Sequence, residues 1–137
     1  KRQYLDSVLR KSAKEISQLD VETIFDISMS VFRLFHEKDV FENYYRQHLS
    51  KRLLNKRSAS DDNELTFIRR LKDDCGFTFT SKMESMFNDM LMSGDLTREF
   101  KDAHPDGANL LDVSVSVLTT GVWPMKIHKS EVHLPQN

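Results

Sequence analysis

The apolar residues of this chain keep a helical period for about a hundred residues and then change to a period of two. Leu5, Val8 and Leu9 predict a short amphipathic helix over 3–16, with a break at 17–20 and Asp20 as the N-cap of the next element. Over 21–36, Val21, Phe25, Phe32 and Phe35 fall on one side. Ile24, Ile27, Val31 and Leu34 lie beside them, which predicts a helix buried on most of its circumference. Over 39–54, Phe41, Tyr45, Leu49 and Leu53 recur every four residues, with Val40, Tyr44 and His48 as a parallel row. Ser60, Asp61, Asp62 and Glu64 spell a helix start, a cap followed by acids that complement the dipole. That helix is predicted to run to about Asp74, with Leu65, Ile68, Leu71 and Cys75 inward and Gly76 just past its end. Thr80 or Ser81, with Glu84, predicts a capping box for the last helix, whose inner stripe is Met83, Met86, Phe87, Met90 and Leu91. Ser93-Gly94-Asp95 is expected to kink or interrupt it, and Leu96 and Phe100 carry the spacing to about Lys101.

Beyond a turn at 104–107, Val113, Val115 and Val117 alternate with Ser114 and Ser116, which predicts a half-buried strand. One strand is not stable alone, so it needs a partner from another part of a longer chain or from another protein. Gly121 and Trp123-Pro124 end it, and 125–137 has no persistent pattern.

Composition narrows the function classes. Twenty basic and 21 acidic residues give a net charge of −1, so there is no global field for nucleic acid or an anionic membrane. Charged residues make up 30% of the chain and mean hydropathy is −0.52, which predicts a wet surface. No apolar run approaches the roughly 18 residues of a membrane span. The single cysteine excludes an internal disulfide and points to a reducing compartment. The chain begins at Lys1 without a signal peptide, which reads as a piece of something longer.

Candidate chemistry is sparse. Cys75 lies on an apolar row before a helix-ending glycine, which reads as burial rather than as a nucleophile. The five histidines lack metal-ligand spacing, and no glycine-rich phosphate loop exists. No catalytic residue, metal ligand or cofactor site is expected. The methionines at 83, 86 and 90 suit a core better than a plastic groove. Lys51, Arg52, Lys56 and Arg57, with Arg69 and Arg70, are either a local basic patch or a solvated face neutralised by Asp61, Asp62, Asp73 and Asp74. Charge reversal at Lys51 and Arg52 is expected to leave the fold intact.

Four stretches in order, KDVFENYYRQHLSKRLL, SASDDNE, CGFTFTSKMESMFNDM and VLTTGVWP, resemble the C-terminal part of a cullin, the scaffold of RING-type ubiquitin ligases. The wording is nearest to the cullins that use BTB-domain adaptors. The resemblance implies a mainly α fold: a short helix closing a preceding helical repeat (1–19), a four-helix bundle (20–103), then one β-strand of an incomplete α/β domain and an irregular tail (104–137). It implies a non-catalytic scaffold fragment that positions a RING-box protein and a ubiquitin-conjugating enzyme relative to substrate. A cullin-associated exchange factor is a further expected partner, nucleic acid and membrane are not, and the expected location is the cytoplasm and nucleus.

By the same resemblance, Val113, Val115, Val117 and Leu118 would receive a strand of the RING-box protein. Lys51, Arg52, Lys56 and Arg57 would attract the acidic tail of a conjugating enzyme. The adaptor-binding repeats, the rest of the α/β domain and the winged-helix region with the lysine that accepts the ubiquitin-like modifier NEDD8 are missing from this sequence. The resemblance therefore fits either a domain cut from a full cullin or a truncated paralogue without ligase assembly. The leading rival class is an autonomous helical nucleic-acid-binding module using the basic cluster, whose binding would fall steeply with salt.

Overall fold

Proline is absent between Gln18 and Ala103, so nothing along that stretch removes a helical donor. The computed structural model describes residues 18–56, 61–104 and 113–125. It is mainly α, with four helices among the described residues: α1 (Gln18–Arg33), α2 (Lys38–Leu54), α3 (Asp61–Cys75) and α4 (Phe77–Ala103). The helix expected over 3–16, the Ser60 cap and most of the turn at 104–107 lie outside the described residues. α3 packs along α4, α2 against α4, and α1 against α3.

Tilted aromatic contacts connect all four helices. Phe25 of α1 meets Phe67 of α3 at 5.1 Å between centroids, and Phe67 meets Tyr45 of α2 at 5.4 Å. Phe41 of α2 meets Phe32 of α1 at 4.8 Å, and Phe32 meets Phe79 of α4 at 5.9 Å. Each such pair contributes about 0.5–1.5 kcal/mol beyond its burial. The predicted row Phe41, Tyr45, Leu49 and Leu53 is buried throughout, and its parallel row is not: Val40 is exposed. The arc of α1 is narrower than its composition suggests. Val21, Phe25, Met29 and Phe32 are buried, whereas Ile27 and Leu34 face out.

A polar pair sits among these rings. Arg52 is 2% exposed and Glu64 fully buried. Arg52 Nη2 donates to Glu64 Oε2 at 3.0 Å and Nε donates to Oε1 at 2.5 Å, a two-pronged bridge between α2 and α3. Tyr45 Oη donates to Glu64 Oε2 at 2.9 Å, and the Arg52 guanidinium lies 5.5 Å from the Tyr45 ring centre. Burial first, then the neighbouring Glu64 charge, pushes the Tyr45 hydroxyl well above the usual phenol range. Glu64 lies in the first turn of α3, as expected of a helix-start acid, and is also the acceptor at the centre of the bundle. Arg52, expected at the surface, is its partner.

α4 departs from its predicted start and shape. Gly76 closes α3 with φ +84° and its N–H on the Lys72 carbonyl at 2.7 Å. α4 begins at the next residue, so no capping box forms at Thr80 or Ser81. Thr80 is instead buried inside the first turn, donating to Glu84 at 3.0 Å, while Glu84 also takes Lys72 across the α3–α4 seam at 3.1 Å. The helix runs through Gly94 without interruption. Met83, Met86 and Phe87 are buried, but Leu91, Leu96 and Phe100 are exposed.

Two outcomes test this packing. Leu49→Asp places a carboxylate in the core and unfolds the bundle, whereas Val40→Asp on the exposed row shifts stability by less than about 0.5 kcal/mol; equal melting curves for the two would reject these faces. Arg52→Ala strands the Glu64 charge and costs about 3–5 kcal/mol, and Arg52→Met with Glu64→Leu and Tyr45→Phe recovers most of it. A thermal melt of Arg52→Ala within about 4 °C of the parent would contradict the buried bridge.

Candidate functional site

The five cations of the cluster that lie among the described residues, Lys51, Arg52, Lys56, Arg69 and Arg70, do not form one face. Arg52 is inside the bundle. Arg70 turns to Glu22 and Asp26 of α1, and its guanidinium lies 5.7 Å from the Phe25 ring centre. Lys51 and Lys56 are exposed at the C-terminal end of α2, where cations complement the helix dipole, and Arg69 is exposed on α3. Arg57 lies outside the described residues. Asp74, expected to neutralise this cluster, is engaged elsewhere: both its oxygens take Arg33, at 2.7 and 3.0 Å. The hydrogen bond with Arg33 holds the Asp74 carboxyl below the usual carboxylate range and raises the Arg33 guanidinium. The expectation that reversing Arg52 leaves the fold intact is therefore corrected: a carboxylate at 52 would face buried Glu64.

The segment 113–119 carries the other predicted site residues, and it lies antiparallel along the outer side of α4. Val115 N–H donates to Thr97 Oγ1 at 3.1 Å, Val117 N–H to Ser93 Oγ at 2.8 Å, and Thr119 N–H to Asp89 Oδ2 at 2.7 Å. Every second residue of the segment thus meets every fourth residue of the helix. Four helical residues rise about 6.0 Å and two extended residues about 6.6 Å, so the two repeats nearly match when the segment is extended. Thr97 and Ser93 use a hydroxyl as acceptor for the N–H. Thr97 also returns a proton to the Val115 carbonyl at 3.3 Å, and Ser93 donates back to the Asp89 carbonyl at 2.7 Å.

The end of the segment is the most tightly held. Asp89 Oδ1 takes the Thr119 hydroxyl at 2.8 Å, and Oδ2 takes Trp123 Nε1 at 2.7 Å as well as the Thr119 N–H. Burial pushes the Asp89 carboxyl up, and these three donors outweigh it, so the group sits below the usual carboxylate range. Val122 N–H closes onto the Thr119 carbonyl at 3.3 Å, with Gly121 at φ +82° as the third residue of the turn, the position where a type II turn needs glycine. That turn brings the buried Trp123 back under Asp89, and Leu118 and Val122 pack against the core.

In an extended chain successive N–H groups point to opposite sides. Those of Ser114, Ser116 and Leu118 therefore point away from α4, and no hydrogen bond to them is made among the described residues. Val115 and Val117 are about half exposed, at 48% and 54%. Val113 and Leu118 are partly buried. The segment has no strand partner among the described residues. The anchoring row Asp89, Ser93 and Thr97 escaped the sequence reading because it looks like an ordinary polar helix face. Its signal was the four-residue recurrence of short hydrogen-bonding side chains opposite a two-residue recurrence at 115, 117 and 119.

Other chemistry is thin. Among the described residues no group of three or more His, Cys, Asp or Glu could hold a metal ion, and no helix is long and apolar enough to cross a membrane. Cys75 is half-buried, and burial raises its thiol above the usual range, away from the thiolate that a nucleophile needs. It lines a groove of about 330 Å³ with Asp39, Glu42, Thr78, Phe79 and Lys82, in which no histidine accompanies it.

Comparison with known proteins agrees with the helical architecture. The cullin alpha solenoid domain matches residues 2–97. Cullin-3A of Arabidopsis thaliana is 50% identical over 121 residues, which is 88% of this chain and 16% of that protein. Cullin-3 of Dictyostelium discoideum is 46% identical over 135 residues, 97% of this chain and 17% of the relative. Cullin-4A of Mus musculus is 43% identical over 134 residues, 96% of this chain and 18% of the relative. The chain thus spans about a sixth of the length of the curated relatives it matches. With the match covering most of this chain and a helical bundle in place, the chain belongs to the cullin family.

Proposed function

We propose that this chain is the scaffold part of a cullin-RING ubiquitin ligase that docks a RING-box protein by strand addition and so positions a ubiquitin-conjugating enzyme. Its contribution is to hold a partner at a set distance and orientation, a proximity effect without acid–base or covalent chemistry of its own. The observation that carries the reading is the alternation at 113–119. One backbone edge is consumed by α4, while the N–H groups of Ser114, Ser116 and Leu118 face outward beside the exposed Val115 and Val117. Such an edge suits pairing with an incoming strand, with the valines giving side-chain cover.

Lys51 and Lys56 support a second, weaker contact, with the acidic tail of a conjugating enzyme. They are exposed at one helix end, and Arg52 is withdrawn from the set. A nucleic-acid module would want a continuous cationic face, and the turning of Arg52 and Arg70 into ion pairs speaks against one.

Immobilised chain, tested beside a longer cullin C-terminal region, retains the RING-box protein. Ser116→Pro removes one outward donor without touching the bonds to α4, and it weakens retention at least tenfold while helical melting stays unchanged. Retention by Ser116→Pro equal to the parent would remove the strand-addition reading. Reversal of Lys51 and Lys56 to glutamate leaves the fold intact and weakens an acidic peptide at low salt, with the difference fading towards 1 M salt; identical affinities at low salt would dismiss that contact.

A further inference from the structure

We propose that Asp89 and Trp123 together form a register pin that selects which backbone edge of 113–119 faces outward. The relevance of that edge to a partner rests on the docking reading above. The register itself does not.

The ladder on α4 is permissive at two of its three rungs. A hydroxyl both donates and accepts, so Ser93 and Thr97 can serve any N–H and C=O pair that reaches them. A slide of the segment by two residues leaves them satisfied. Asp89 does not tolerate that slide. It needs a residue with both an N–H and a hydroxyl, and the residues two positions either side of Thr119 are Val117 and Gly121, which have no hydroxyl.

The one-residue slide is the real competitor. Thr120 follows Thr119 directly and offers the same N–H and hydroxyl. With Thr120 on Asp89, the N–H groups of Ser116 and Leu118 would turn to the helix and those of Val115 and Val117 would turn out. Every side chain would change face, and Leu118 would leave the core. The group that discriminates is the indole. In the observed register Gly121 turns the chain so that Trp123 Nε1 meets Asp89 Oδ2 at 2.7 Å. A one-residue slide carries that donor about 3.3 Å along the segment, beyond hydrogen-bond reach. Trp123 is therefore a positioning residue for the edge, acting through Asp89, and the tandem threonines make it necessary.

The test is site-resolved amide exchange across 113–120 in the whole chain. In the parent, Val115, Val117 and Thr119 exchange slowly and Ser114, Ser116 and Leu118 fast. Trp123→Phe speeds exchange at Val115, Val117 and Thr119 at least tenfold and evens out the alternation, with α2 and α3 amides unchanged. Adding Thr120→Ala to Trp123→Phe removes the competing register and restores the alternation, a rescue that a merely structural tryptophan would not give. Asp89→Asn, which keeps the size and loses the acceptor pair, reproduces the evened pattern and serves if Trp123→Phe fails to fold. An unaltered alternation in both single variants, or a loss shared equally by α2 and α3, overturns the pin. RING-box retention separates the two ideas. Loss of retention in the parent, with the alternation intact, defeats the docking reading alone. An evened pattern with retention undiminished shows that the partner does not read the register, and overturns the selection of an edge.

Discussion

Two opposite charges at the centre of the bundle constrain everything packed around them. Arg52 and Glu64 are both out of water and hold each other by two hydrogen bonds, with Tyr45 taking a further position on the carboxylate. A pair of this kind adds little net stability over an apolar substitute, because desolvation offsets much of the attraction. What it imposes is alignment. α2 and α3 have to sit so that one guanidinium meets one carboxylate 12 residues away, since any slip leaves a buried charge alone. The aromatic chain from Phe25 through Phe67 and Tyr45 then closes around that alignment, and α4 seats on α2 and α3.

α4 transmits this order to the segment 113–119. An uninterrupted helix presents Asp89, Ser93 and Thr97 at regular intervals, and the near-equality of four helical and two extended residues lets them grip alternate amides. A helix therefore stands where a neighbouring strand would usually stand. Side chains hold one edge of the segment, and its other edge keeps its backbone groups. A kink at Gly94 would put Thr97 out of step with Ser93, which gives the continuity of α4 a consequence beyond packing.

Much of the architecture was legible in the sequence, for local reasons. The four-residue recurrence of Phe41, Tyr45, Leu49 and Leu53 and the C′ glycine at 76 depend only on helix geometry, and both are as expected. Most of the misreadings involve distant partners. Arg52 looked like one more cation at a helix end, and only Glu64 across the turn explains its burial. Leu91, Leu96 and Phe100 continue an apolar spacing but face outward, because the core side of α4 is already filled by Met83, Met86 and Phe87 and its flank by the segment. Thr80 and Ser81 looked like caps, yet Gly76 alone turns the chain and the helix has begun by Phe77. Of the predicted site residues, Val115 and Val117 lie exposed on the extended segment, Lys51 and Lys56 lie at the surface, and Arg52 is committed to the core.

The central claim is that the outward edge of 113–119 receives a strand. The most direct measurement is amide protection at Ser114, Ser116 and Leu118 before and after saturation with a RING-box protein. The account predicts that these three amides, fast in the free chain, become protected in the complex to the level of Val115, Val117 and Thr119. Binding that leaves all three fast would contradict it and move the contact elsewhere on the bundle.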